Sequence, residues 1–245
     1  VFPESCLEHE AFARFEGKRL VLRRDSVEQE PEAGTIIFDA STETNQTGDV
    51  ASLRLRRRGY PVASFPIPVL SPGMISNLAL ALATALEIGI EEGEARGRLK
   101  ELQPSAIRGQ LFESHGCSFY VDCYNANPAS MADALGFFHR ISGSSPRLYV
   151  IGGMEELGRE SERLHCELGK SLPLRSVDRV VLVGESSRPV GEGIDNPNLV
   201  QFYHRAEEAR PTVDSFIGAI FVKGSREHGL ETLLPGRVED PSNAG

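Results

Sequence analysis

No apolar run in the 245 residues reaches the ~18 that a membrane helix needs, which excludes a spanning helix. The opening, Val1-Phe2-Pro3-Glu4, lacks the basic and apolar regions of a signal peptide. Basic charge is also scarce. Against 35 acidic residues stand 26 Lys and Arg, a net charge of −9, and this argues against general nucleic-acid binding. The short run Arg54, Arg56, Arg57, Arg58 does not change that, because Leu53-Arg54-Leu55-Arg56 alternates as a half-exposed strand does. The cysteines Cys6, Cys117, Cys123 and Cys166 form no CxxC pair. Zinc spacing is absent, no disulfide framework is expected, and the expectation is free thiols in a reducing cytoplasm. A phosphate loop, G-x-x-x-x-G-K-[ST], is missing too. Gly169-Lys170-Ser171 has Leu164 in place of the first glycine, while Gly17-Lys18 has Phe12 there and is followed by Arg19. The sequence contains no H-E-x-x-H, no G-x-S-x-G, no internal repeat and no low-complexity tract.

What is present is ordinary globular sequence, 40% hydrophobic and 25% charged, long enough for one or two domains. The first residue is not Met, and the opening reads as the middle of a domain, so a fragment is expected. Residues 1–70 read as β-rich, with strands at 18–22, 34–38, 51–55 and 60–69. A turn is expected at Arg58-Gly59 and a polar loop at 41–49. Pro61, Pro66 and Pro68 push the fourth strand to an edge. Residues 77–87 then predict a helix that is apolar nearly all round, capped by Ser76 and stopped by Gly89. A charged helix at 91–102 ends at Pro104, a boundary between domains. Beyond it, strands at 117–123, 147–151, 179–183 and 219–222 alternate with helices at 130–141, 160–171 and 206–217. That order predicts an α/β, doubly wound, mainly parallel sheet. The tail, 239–245, reads as frayed.

Ligands of such sheets sit beyond the carboxyl ends of the strands, and three polar segments fall there. Asp122-Cys123-Tyr124-Asn125-Ala126-Asn127-Pro128 combines a carboxylate, a phenol and two amides, suited to ribose hydroxyls or a polar substrate. Its plainer reading is a turn and a helix cap. Gly152-Gly153-Met154-Glu155-Glu156-Leu157-Gly158 would let a ligand approach the backbone, although the two glutamates oppose a phosphate; a simple strand-to-helix connection is the alternative. Lys223-Gly224-Ser225-Arg226 could hold a carboxylate or phosphate, or be a solvated basic turn.

Taken together, with Ser161, His165 and Glu231, these segments resemble the Mur ligases, the ATP-dependent amide-forming enzymes of peptidoglycan synthesis. The Tyr-Asn-Ala-Asn-Pro string at 124–128 resembles the branch that adds D-alanyl-D-alanine to a UDP-linked muramoyl tripeptide. The resemblance covers most of residues 70–235. It implies that residues 1–103 are the end of a P-loop-type central, ATP-binding domain and that residues 104–245 are the Rossmann-like C-terminal domain. The chain departs from the family in the absent phosphate loop, in Gly73 where a histidine is expected, in Gly153 where aspartate is common, and in Val121 before Asp122.

The resemblance also implies roles. Arg108 would bind ATP phosphates and, with Lys223, serve catalysis. Asn77 would face the adenine and Asp122 the ribose. Tyr124, Asn125, Asn127, Lys223 and Ser225 would line the dipeptide. ATP and Mg2+ are the implied cofactors, with most magnesium ligands outside this chain. The implied partners are the UDP-linked muramoyl peptide, D-alanyl-D-alanine and the missing N-terminal part of the same protein, and the chain alone is expected to be inactive. Two alternatives stand beside this: a non-catalytic Rossmann-like binding module derived from such a ligase, and another Mur or folylpolyglutamate-type ligase.

Overall fold

The computed structural model describes residues 2–3, 6, 19–24, 35–44, 50–57, 60–102 and 107–236. Lys18, Gly34, the Arg58-Gly59 turn, residues 45–49, Pro104 and the tail at 239–245 lie outside these. The chain divides into two compact units, Val1–Gln103 and Pro104–Gly245.

In the first unit, β1 (Phe2–Pro3), β2 (Arg19–Arg24), β3 (Thr35–Thr44), β4 (Val50–Arg57) and β5 (Tyr60–Pro66) lie side by side in chain order. The first three are parallel, and β3, β4 and β5 are antiparallel. The proline-bearing β5 is at an edge, as its missing N–H groups require. Alternation in β4 also holds, with Leu53 and Leu55 buried and Arg54 and Arg56 exposed. The expected loop at 41–49 is corrected in its first part, because β3 continues to Thr44. Register supplies the reason: Ser41 pairs with Arg54 and Glu43 with Ser52, and Glu43 also takes an ion pair from Arg54 at 2.6 Å and a bond from the Ser52 hydroxyl.

The helix α1 (Pro72–Glu87) starts earlier than the sequence suggests. Its cap is Ser71, whose hydroxyl accepts from the Met74 N–H at 3.3 Å, with proline at the first helical position. Ser76 is inside the helix and donates to the Pro72 carbonyl. Burial is also one-sided rather than all round. Ile75, Ala79, Leu82 and Ala83 are buried, at the spacing of a single stripe against Leu53, Leu55 and Phe65. Gly89, at φ +95°, follows the helix as expected. A second helix, α2 (Glu92–Lys100), adds Ala95 to the same core.

The second unit is a doubly wound sheet. Its strands are β6 (Gln110–Ser114), β7 (Cys117–Asp122), β8 (Arg147–Gly152), β9 (Arg179–Val183), β10 (Val200–Tyr203) and β11 (Ala219–Lys223). They run in the order β10-β9-β8-β11-β7-β6, all parallel except the β6–β7 hairpin. Alternate residues of the central strands feed two cores. Tyr149, Ile151 and Phe221 pack with α3 (Pro128–Ser142), α4 (Ser161–Ser171) and α5 (Arg188–Glu192). Leu148, Val150 and Val222 pack with α6 (Ala206–Asp214) and the short turn Leu230–Leu233. Because β11 inserts between β7 and β8, the strand order reverses there, and the carboxyl ends of these three strands form the crevice where such folds place ligands.

Candidate active site

All three polar segments reach this crevice. Asp122 ends β7, Gly152 ends β8 and Lys223 ends β11. The register sets Lys223 beside Asp122 on one side and Ile151 on the other.

Lys223 is buried, yet its ammonium is fully satisfied. It donates to Asp122 Oδ2 at 2.5 Å, to the Asn125 carbonyl at 3.1 Å and to the Asp122 carbonyl at 3.4 Å. An ammonium has three N–H donors, so none remains for a ligand. Lys223 thus ties the loop after β7 to the end of β11 and neutralises the Asp122 charge. Cys123, beside it, is buried. Burial, then the charges of Glu231 and Asp122, push its thiol up to about 12. It is therefore a core thiol and no nucleophile.

The loop after β7 combines two functions. Asn125 is exposed, but its Oδ1 turns back to the Ala126 N–H at 2.8 Å. Asn127 Oδ1 accepts from the Ser130 N–H at 2.8 Å while the Ser130 hydroxyl accepts from the Asn127 N–H, a complete capping box at the start of α3. The plainer reading of these amides as turn and cap residues describes both side-chain oxygens. Tyr124 is different. Its ring is partly exposed, with the Arg108 guanidinium 3.4 Å from the ring centroid and that of Arg226 at 5.6 Å. Two exposed cations thus flank one phenol at the β7 side of the crevice.

The glycine turn after β8 is held from two directions. His165, wholly buried, accepts the Met154 N–H on Nε2 at 2.8 Å, and its Nδ1 donates to the Ser161 carbonyl at 2.7 Å. This fixes a neutral ring with the proton on Nδ1. The Ser225 N–H donates to the Gly153 carbonyl at 2.9 Å, joining the ends of β8 and β11. Room for a side chain at 153 is lacking, since a Cβ would meet Ser186 Oγ at 1.9 Å. Gly152 and Gly184 are likewise required by the His228 ring.

That ring belongs to a cluster the sequence reading did not identify. Glu155 Oε1 accepts from Ser186 Oγ at 2.8 Å and lies 3.0 Å from His228 Nε2. Neither Ser186 nor His228 has a motif around it. The available signal was position: Ser186 follows β9 and His228 follows β11, just beyond strand ends. The structure therefore brings Arg108, Asp122, Tyr124, Asn125, Asn127, Lys223 and Ser225 into the second unit's loop-bearing end. Asn77 lies exposed in the first unit, within α1 rather than at its start.

Residues 107–225 match a family model described as Mur ligase, glutamate ligase domain. The chain is 28% identical over 185 residues to the UDP-N-acetylmuramoyl-tripeptide–D-alanyl-D-alanine ligase of Bacillus subtilis, covering 73% of this chain and 40% of that relative. It is 31% identical over 167 residues to the ligase of the same name from Treponema pallidum, covering 65% and 36%. The chain thus spans about two fifths of the length of these relatives. Among solved structures, it superimposes on MurF from Acinetobacter baumannii with a TM-score of 0.66 at 22% identity, over 88% of this chain and 51% of that one. MurF ligase from Thermotoga maritima in complex with ADP gives 0.65 at 16% identity, over 89% and 52%.

Proposed function

We propose that this chain, whose residues 107–225 match the Mur ligase, glutamate ligase domain, is the carboxyl-terminal part of an ATP-dependent amide ligase that adds D-alanyl-D-alanine to a UDP-N-acetylmuramoyl-tripeptide in peptidoglycan synthesis. One observation carries this reading. The matched region contains the loops after β7 and β8 and the start of the loop after β11, and the fold brings these to one crevice. The printed names of the relatives supply the substrates. On this reading residues 1–103 are the end of the central domain, 104–245 are the C-terminal domain, and the remainder of the nucleotide site lies in a part of the protein outside this chain.

When bound, ATP would supply a phosphoryl group to activate the tripeptide carboxylate, leaving ADP, and the dipeptide amine would then displace phosphate to form the amide. Charge develops on phosphoryl oxygens, so positioned cations do most of the work. Arg108, stacked on Tyr124, and Arg226, 5.6 Å from the same ring, fit this task, being exposed with N–H edges that suit phosphate oxygens. Asp122 is held by Lys223 and presents a partly exposed carboxylate suited to ribose hydroxyls. Lys223 acts through Asp122 and Asn125, as a positioning residue. Ser225, fixed through its backbone, and the remaining edges of Tyr124, Asn125 and Asn127 line the dipeptide side. Magnesium would accompany ATP, with most of its ligands outside this chain; among the described residues no three His, Cys, Asp or Glu side chains gather into a cation site.

The test is a substrate panel on the longer protein, read as ADP release with UDP-muramoyl tripeptide and ATP present. Turnover with D-alanyl-D-alanine, and none with single amino acids, is expected. Turnover with glutamate and a folate in place of the muramoyl peptide, and none with the dipeptide, would support the folylpolyglutamate-type alternative and overturn this one.

A further inference from the structure

The short turn Arg226–His228 serves both sides of the crevice. Such a turn has three residues per revolution, so side chains two apart diverge. Arg226 goes to Tyr124, beside Arg108. His228 goes the other way, over Gly152, which ends β8, and Gly184, which follows β9, where a Cβ on Gly184 would come within 2.4 Å of its ring. There it meets Glu155 and Ser186. Both bonds fall on Glu155 Oε1. No described residue bonds Oε2, and the Glu155 side chain is 30% exposed. The crevice is therefore polarised, with two guanidinium groups on the β7 side and an accessible carboxylate with a free oxygen on the β8–β9 side.

We propose that Glu155, steadied by Ser186 and His228, holds the ammonium group of the incoming amine substrate. This rests on the amide-ligase reading and assigns one end of that substrate to particular atoms. Phosphate oxygens belong with the arginines; a cationic amine is repelled there and attracted to Glu155. A carboxylate accepting a charged N–H is among the stronger hydrogen bonds, and its second oxygen is the one left open. The three glycines under His228 keep the ring low enough for Glu155 to be reached.

The experiment is Glu155→Gln in the longer protein, with KM measured separately for D-alanyl-D-alanine and for ATP. Glutamine retains an acceptor for Ser186 and His228, so the cluster persists while the charge is lost. The expected result is a rise of about tenfold or more in the dipeptide KM, an unchanged KM for ATP, and partial recovery in Glu155→Asp. A lowered Tm with an unchanged dipeptide KM would make Glu155 a structural latch and overturn the proposal, leaving the ligase reading intact. An absence of dipeptide-dependent turnover in the unsubstituted protein would overturn both.

Discussion

At the end of the second sheet opposite the crevice, Asp178 is fully buried between the starts of β8 and β9. Its carboxylate accepts from the Arg147 N–H and guanidinium and from Arg175. Burial works against its charge, yet the bonds from Arg175 and Arg147 hold it down, from 3.8 to about 2. A depressed carboxyl pKa gives stability that is complete above the ordinary value and lost as pH falls through the native one. Acid titration of unfolding should thus show a loss between pH 4 and 2 that Asp178→Asn lacks. Asp178→Ala, which strands the buried Arg147 charge, should cost about 3–5 kcal/mol in urea unfolding. Cysteine chemistry gives a second check at this scale. With its thiol pushed up to about 12, Cys123 should resist iodoacetamide at pH 8 in the folded chain, while the half-buried Cys166 is alkylated. Labelling of Cys123 at the same rate would contradict the buried site described above.

Among the elements, α3 depends on its capping box. Asn127→Ala should lower stability by about 0.5–2 kcal/mol in thermal or urea unfolding, and Asn127→Asp should retain most of it. At the β8–β11 junction a Cβ on Gly224 would stand 2.7 Å from the Gly152 Cα, so Gly224→Ala should cost about 1–3 kcal/mol through forced separation of the two strand ends. These elements also show what sequence alone made legible. The parallel strands β7, β8, β9 and β11 are runs of buried Val, Ile, Leu and aromatics between helices, and such runs declare themselves. The strand β10 did not, because Val200, Gln201, Phe202 and Tyr203 mix polar with apolar and only the ladder to β9 defines them. Hairpin pairing hid the end of β3 in the same way. The helix expected from residue 77 begins at Pro72, whose fixed φ suits a first helical position. At the site, the residues after strands were found by position, but their division of labour was not. That Lys223 is wholly spent on Asp122 and Asn125, and that Glu155 meets His228 from 73 residues away, are tertiary facts that no local pattern encodes.

For the whole molecule, the chain packs as two separate units and spans two fifths of the length of the ligases it resembles. On the proposed ligase reading, the chain alone is predicted to form no amide bond, and a longer protein that contains it is predicted to form one with a contribution from Arg108. Arg108→Ala in that protein should raise the KM for ATP or lower kcat by about tenfold or more, as expected for loss of a charged phosphate contact, with its fold unchanged because the side chain is exposed. The most direct measurement is the mass of the UDP-muramoyl peptide before and after incubation of the longer protein with ATP and D-alanyl-D-alanine. The account predicts a product heavier by one dipeptide less one water, formed only when ATP is present. An unchanged peptide mass, with the protein folded and ATP in excess, would contradict it.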